Sequence, residues 1–142
     1  MHKFVFKLQR KLDISKRQEK MASEHLALRM QERNAIIDNI NTQLARLNGF
    51  ETSIRTLPFK KTLVIKDYLP VIRNHIKDLH IELAKAEERV ETARNILLEC
   101  KKETKTLVKL RENEWKKYLQ ELNLEEQKEI DEIAINNHFR SN

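Results

Sequence analysis

From Leu69 onward an apolar or small residue recurs every three or four positions: Leu69, Ile72, Ile76, Leu79, Leu83, Ala86, Val90, Ala93, Leu97, Cys100, Thr104 and Leu107. Alternating steps of three and four keep side chains on one stripe of an α-helix. Sustained for more than five heptads, they predict a coiled-coil seam. After Leu107 the register slips. Leu110, Trp115, Tyr118, Leu119 and Leu122 continue the apolar side through a stutter, which changes the supercoil locally.

The first half repeats the pattern less strictly. Phe4, Leu8 and Leu12 open it, and Ser15 and Glu19 occupy the next seam positions. Ala22, Leu26, Met30, Arg33, Ile37, Ile40, Leu44, Leu47 and Ile54 carry it on. Gly49 falls inside this run. A glycine costs about 1 kcal/mol in a helix interior, so it marks a tolerated weak point or an early helix end.

Between the halves lies RTLPFKKTLVIKDYLP, Arg55 to Pro70, which holds both prolines and the β-branched cluster Thr62, Val64 and Ile65. Pro58 is expected to end the first helix. Asp67 is a candidate N-cap for the second, with Pro70 in its first turn, where the missing N–H matters little. The expected architecture is all-α: a long antiparallel two-helix coiled-coil hairpin forming one domain over residues 1–142. Its helices span about 3–54 and about 68–138, with a tip at about 55–67. The alternative is a parallel dimer of one broken helix. With the turn near residue 60, positions whose numbers sum to roughly 120 face one another. Phe4 and Phe6 then meet Trp115 and Tyr118.

The second helix continues beyond that point for about twenty residues, or ~30 Å. This overhang carries an apolar stripe, Ile130, Ile133 and Ala134. Around it, Glu121, Glu125, Glu126, Glu129, Asp131 and Glu132 are opposed only by Lys128. A stripe without an intramolecular partner points to another molecule; the alternative is a frayed terminus. Removing residues 119–142 is expected to leave the hairpin folded.

Composition agrees with long helices. The 142 residues include one Gly and two Pro, and 35% are charged, so turn-rich sheet folds are disfavoured. A core that is only a seam leaves little room for a pocket enclosing a small substrate. The net charge of +6 permits an acidic partner without requiring one. Cys100 is the only cysteine, which excludes an internal disulfide and suits a reducing compartment. There is no run of eighteen apolar residues. The opening MHKFVFKLQRKLD alternates apolar and basic residues and lacks the apolar core of a secretory signal. The expected location is therefore cytoplasmic.

No catalytic constellation emerges. One glycine cannot build a phosphate loop. Cys100 sits at a seam position and reads as a small core residue. His2, His25, His75, His80 and His138 are scattered, and His75 and His80 are five apart, off the i, i+4 spacing of a helical metal site. No metal, cofactor or enzymatic activity is expected. Lys3, Lys7, Arg10, Lys11, Lys16, Arg17 and Lys20 form a basic N-terminal face that could contact phosphates. Seam residues Leu8 and Leu12 interrupt it, so nucleic acid is not the expected partner, although an RNA-gripping arm is an alternative. Near the tip, Phe50, Phe59 and Tyr68 cluster. Tyr68 and His75 lie off the seam and suit an exposed contact, whereas Ile72 and Leu79 are seam positions.

The chain resembles the FliJ family of flagellar type III export proteins over essentially its whole length. FVFKLQRKLDISKRQEKMA, Phe4 to Ala22, is similar to the family's opening. EEQKEIDEIA, Glu125 to Ala134, is similar to its closing signature. The resemblance implies a non-enzymatic stalk, an antiparallel coiled coil like the γ subunit of rotary F-type ATPases. Such a stalk binds the export ATPase hexamer (FliI-like) with the end bearing both termini, promotes ring assembly and ATP hydrolysis, and connects the ring to the export gate (FlhA-like). Some members also act on export chaperones. The implied location is cytoplasmic, peripheral to the inner membrane through the export apparatus. The closing motif assigns Gln127, Ile130, Asp131, Glu132 and Ala134 to the ATPase end, and Ile133 shares their stripe. Tyr68, Ile72 and His75 are the candidates for gate contact. The alternatives are the homologous stalk of a virulence injectisome and a generic coiled-coil adaptor.

Overall fold

The computed structural model describes residues 2–141. They form two α-helices packed against each other, α1 (Gln9–Thr56) and α2 (Phe59–Ser141), with no strand among the described residues. The chain is an all-α helical hairpin. Its contacts divide into two compact units, one of Met1–Glu19 with Glu99–Asn142 and the other of Lys20–Leu98, where the sequence suggests a single domain. Each unit contains a stretch of both helices.

The a/d repeat of the second half is the core. Leu69, Ile72, Ile76, Leu79, Ala86, Val90, Ala93, Leu97, Thr104 and Leu107 are buried, and Leu83 and Cys100 are half-buried. The facing α1 positions are less covered. Ala22 and Ile40 are buried, Leu26, Met30, Ile37 and Leu47 are half-buried, and Leu44 is exposed. With one partner helix, small α2 residues such as Ala86 and Ala93 are covered completely, whereas long side chains across the seam keep one edge in water.

In the second unit the helices run antiparallel: Phe50 meets Tyr68 edge-on with ring centroids 6.0 Å apart, and Arg73 pairs with Glu51 at 3.1 Å. That ion pair is solvent-exposed and contributes under about 1 kcal/mol. The connection is only Leu57 and Pro58. The Pro58 carbonyl accepts from the backbone N–H groups of Lys61 and Thr62, opening α2 directly behind the proline. Pro58 has no N–H to leave unsatisfied there.

Three expectations are corrected in this region. α2 begins at Phe59, not near residue 68, so the tip is far shorter than residues 55–67. Asp67 lies inside the helix and caps nothing. Pro70 also lies well inside α2, not in its first turn, so Lys66 lacks the usual i+4 donor for its carbonyl. Helix persists because Thr62, half-buried Ile65, Leu69 and Ile72 extend the seam at spacings of three and four, and Thr62 is buried. Tertiary burial outweighs the β-branched residues and the proline. α1 likewise passes through Gly49 to Thr56.

In the first unit, the pairing of Ser15 with Thr104 fixes the register. Their hydroxyls lie 2.7 Å apart with Ser15 only 2% exposed. Thr104 also donates to the Cys100 carbonyl at 3.0 Å. Its one hydroxyl hydrogen is thereby used, so Ser15 is the donor of the pair. The residue numbers sum to 119, as the expected hairpin register requires.

Candidate functional site: an uncovered helix end

α1 begins at Gln9, not near residue 3. Residues 2–6 precede it without regular structure, and the Gln9 N–H bonds back to the Phe6 carbonyl at 3.1 Å. The cause is the alternation in HKFVFK. Phe4 and Phe6 turn inward while Lys3, Val5 and Lys7 stay exposed, the period of two that an extended chain imposes.

This segment lies on α2. Phe4 packs edge-on against Trp115 (centroids 5.0 Å apart, 75° between planes) and lies 5.6 Å from Tyr118. Trp115 and Tyr118 stack at 5.5 Å. The Arg111 guanidinium stands 5.7 Å over the Phe4 ring and donates to Gln9 Oε1 at 3.0 Å. Gln9 in turn donates to Asp13 at 2.9 Å. The Tyr118 hydroxyl donates to the His2 carbonyl at 2.9 Å. Phe4 therefore meets both expected aromatics. Phe6 instead joins Leu12 and Leu107 in a buried cluster, because the extended segment displaces it from a helical register.

Beyond this clasp α2 is uncovered. Leu122 is half-buried, and every described residue from Asn123 to Ser141 is exposed. These 19 residues span about 28 Å of helix. All the predicted site residues here, Gln127, Ile130, Asp131, Glu132, Ile133 and Ala134, lie on this free stretch, with Ile130 65% exposed. At about 100° per residue, Ile130, Ile133 and Ala134 prolong the side of Leu119 and Leu122. Leu124, Ile135 and Phe139 fall outside the stripe that the sequence pattern picks out. They are exposed on another side, roughly 120° to 180° from Ile130. Their spacing of eleven and four is the signal that could have found them. Glu125, Glu129 and Glu132 share a third face. The overhang thus presents apolar surface on two sides with carboxylates between them.

The other candidates lie near the tip. Tyr68 and His75 are exposed, but Ile72 is 3% exposed in the seam and supports that surface from behind. Exposed Val71 stands with Tyr68 and His75 at spacings of three and four and completes the face. One shallow, open groove is lined by His25, Arg29, Lys85, Glu88 and Arg89, where Arg29 is already engaged by Glu32 at 2.8 Å; another lies beside the N-terminal segment, lined by His2, Lys3, Glu114, Lys117, Glu121 and Glu125. Among the described residues no group of His, Cys, Asp and Glu is placed to hold a metal ion, and no helix is long and apolar enough to cross a membrane.

Two long helices closed by a two-residue turn, with a seam for a core and one helix end left uncovered, define a coiled-coil hairpin protein. The chain belongs to the FliJ family: the family model for the flagellar FliJ protein matches residues 4–142. No curated protein and no solved structure matches the chain. Membership carries a flagellar export-related role and places the chain among non-catalytic export components.

Proposed function

We propose that the chain is a stalk subunit whose uncovered α2 end enters the export ATPase ring, promoting ring assembly and ATP hydrolysis, while the face of Tyr68, Val71 and His75 engages the cytoplasmic part of the export gate. One observation carries the ATPase half. A helix that docks on a flat surface needs a single apolar stripe, whereas the overhang carries apolar residues on two sides. A partner that surrounds the helix, as the lumen of a ring does, covers both. The carboxylates between the stripes suit a basic lining. The gate half rests on exposed aromatic and imidazole side chains held on a packed helix, with Ile72 anchoring them from the seam. Export chaperones are further partners on this view.

Binding of purified export ATPase to two double variants tests the enclosure. Ile130→Asp with Ile133→Asp alters one side, and Ile135→Asp with Phe139→Asp the other. Each should weaken binding by about a hundredfold, since each removes two buried apolar side chains. If only the first pair matters, the helix docks on one side and ring insertion is wrong. If neither matters, the overhang is not the ATPase contact.

A further inference from the structure

The hairpin tip carries features that neither the fold nor the ATPase contact uses. Leu57, Phe59, Leu63 and Val64 are exposed around the two-residue turn, with Phe59 69% exposed. Arg55, Lys60, Lys61 and Lys66 are exposed among them, and residues 52–66 contain no acidic residue; Asp67 and Glu51 flank the segment. Lys66 stands 5.1 Å over the Phe59 ring. The placement runs against helix stability. The first turn of α2 contains Lys60 and Lys61 and no acid, although the positive end of the helix dipole favours carboxylates there. The dipole adds to their field instead of offsetting it.

We infer that this tip inserts into an anionic lipid surface, with Phe59, Val64, Leu57 and Leu63 entering the headgroup boundary and Arg55, Lys60, Lys61 and Lys66 meeting lipid phosphates. Charge complementarity favours an anionic partner. The side-chain chemistry selects a bilayer over an acidic protein. Protein interfaces are enriched in Arg and depleted in Lys, and the tip has three lysines to one arginine. Lysine is a non-directional point charge, suited to mobile headgroups. A convex apolar end rimmed by cations also fits a deformable surface, and each cation near such a surface contributes to binding until salt screens it. The tip lies apart in sequence from the ATPase contact, and neither proposal depends on the other.

The test is sedimentation of the full chain with vesicles of one part phosphatidylglycerol to three parts phosphatidylcholine, against phosphatidylcholine alone. The expected result is binding to the anionic vesicles only, lost as salt is raised. Lys60→Glu with Lys61→Glu should lower the partition coefficient by at least about tenfold. Lys60→Arg with Lys61→Arg should retain it. Lys3→Glu with Lys7→Glu, on the basic N-terminal segment, should change it little. In Phe59→Trp, emission should shift to the blue on anionic vesicles by more than in the parent, which already contains Trp115. Circular dichroism verifies that each variant keeps its helices. Three results would overturn the inference: no preference for anionic vesicles, binding that survives the tip reversal but not the N-terminal one, or a Phe59→Trp spectrum that vesicles leave unmoved. With the first, capture of an acidic protein by the parent but not by the tip variant would make the tip a protein contact.

Discussion

At the scale of single residues, the seam holds one polar pair and α1 one avoidable weakness. Ser15 donates to Thr104 inside a mostly apolar seam, whose other buried hydroxyl, on Thr62, is satisfied locally by the Phe59 carbonyl. Ser15→Ala should cost about 1 kcal/mol in urea unfolding. Ser15→Ala combined with Thr104→Val should cost less than the two single changes added together, because no hydroxyl is then left short of a partner. Such a pair also discriminates against slipped registers, which would bury each hydroxyl alone. Gly49 is the opposite case. It sits mid-helix with a negative φ, and a Cβ built on it meets nothing within 4 Å. Gly49→Ala should therefore raise unfolding stability by about 0.5–1 kcal/mol. A loss would mean that α1 needs a break at this point.

At the scale of elements, the long repeat of α2 was legible because burial follows it almost position for position from Leu69 to Leu107. The start of α2 was not. Pro58, the cluster of Thr62, Val64 and Ile65, and Pro70 all argue locally against helix, and Asp67 offered a plausible later cap. The contrary signal, Thr62, Ile65, Leu69 and Ile72 at seam spacing, is short and contains one threonine, so local propensity outweighs it in the sequence. The residues before Gln9 read as helix for the same kind of reason. The alternation of Phe4, Val5 and Phe6 is an extended pattern too brief to stand against the helical run behind it. In the overhang, the stripe of Ile130, Ile133 and Ala134 is visible because it prolongs the seam. Leu124, Ile135 and Phe139 are not, because gaps of eleven and four are too sparse to stand out as a repeat. Pro70→Ala should stabilise α2 by up to about 3 kcal/mol, measured by thermal unfolding, since it restores the donor for the Lys66 carbonyl. Unchanged stability would show that the surrounding seam already absorbs the defect.

At the scale of the whole molecule, charge is segregated along the sequence. The N-terminal segment and the tip are basic, and the end of α2 from Glu121 to Glu132 sets six carboxylates against Lys128. A protein whose core is a seam offers surfaces and not pockets, and its membership of the FliJ family points those surfaces at the export apparatus. The stalk proposal depends on the stretch from Asn123 onward being free to bind. No described residue buries any part of it, so a chain ending at Leu122 keeps the aromatic clasp of Phe4, Trp115 and Tyr118 and the Ser15–Thr104 pair. It should unfold with the same midpoint as the full chain.

The most direct measurement is ATP turnover by the purified flagellar export ATPase, at a concentration near its ring-assembly threshold, titrated with the full chain and in parallel with the chain ending at Leu122. Saturable stimulation by the full chain and none by the shortened one is expected, with both showing the same helical content. Equal stimulation by the two chains, or none by the full chain on an ATPase that forms active rings, would contradict it.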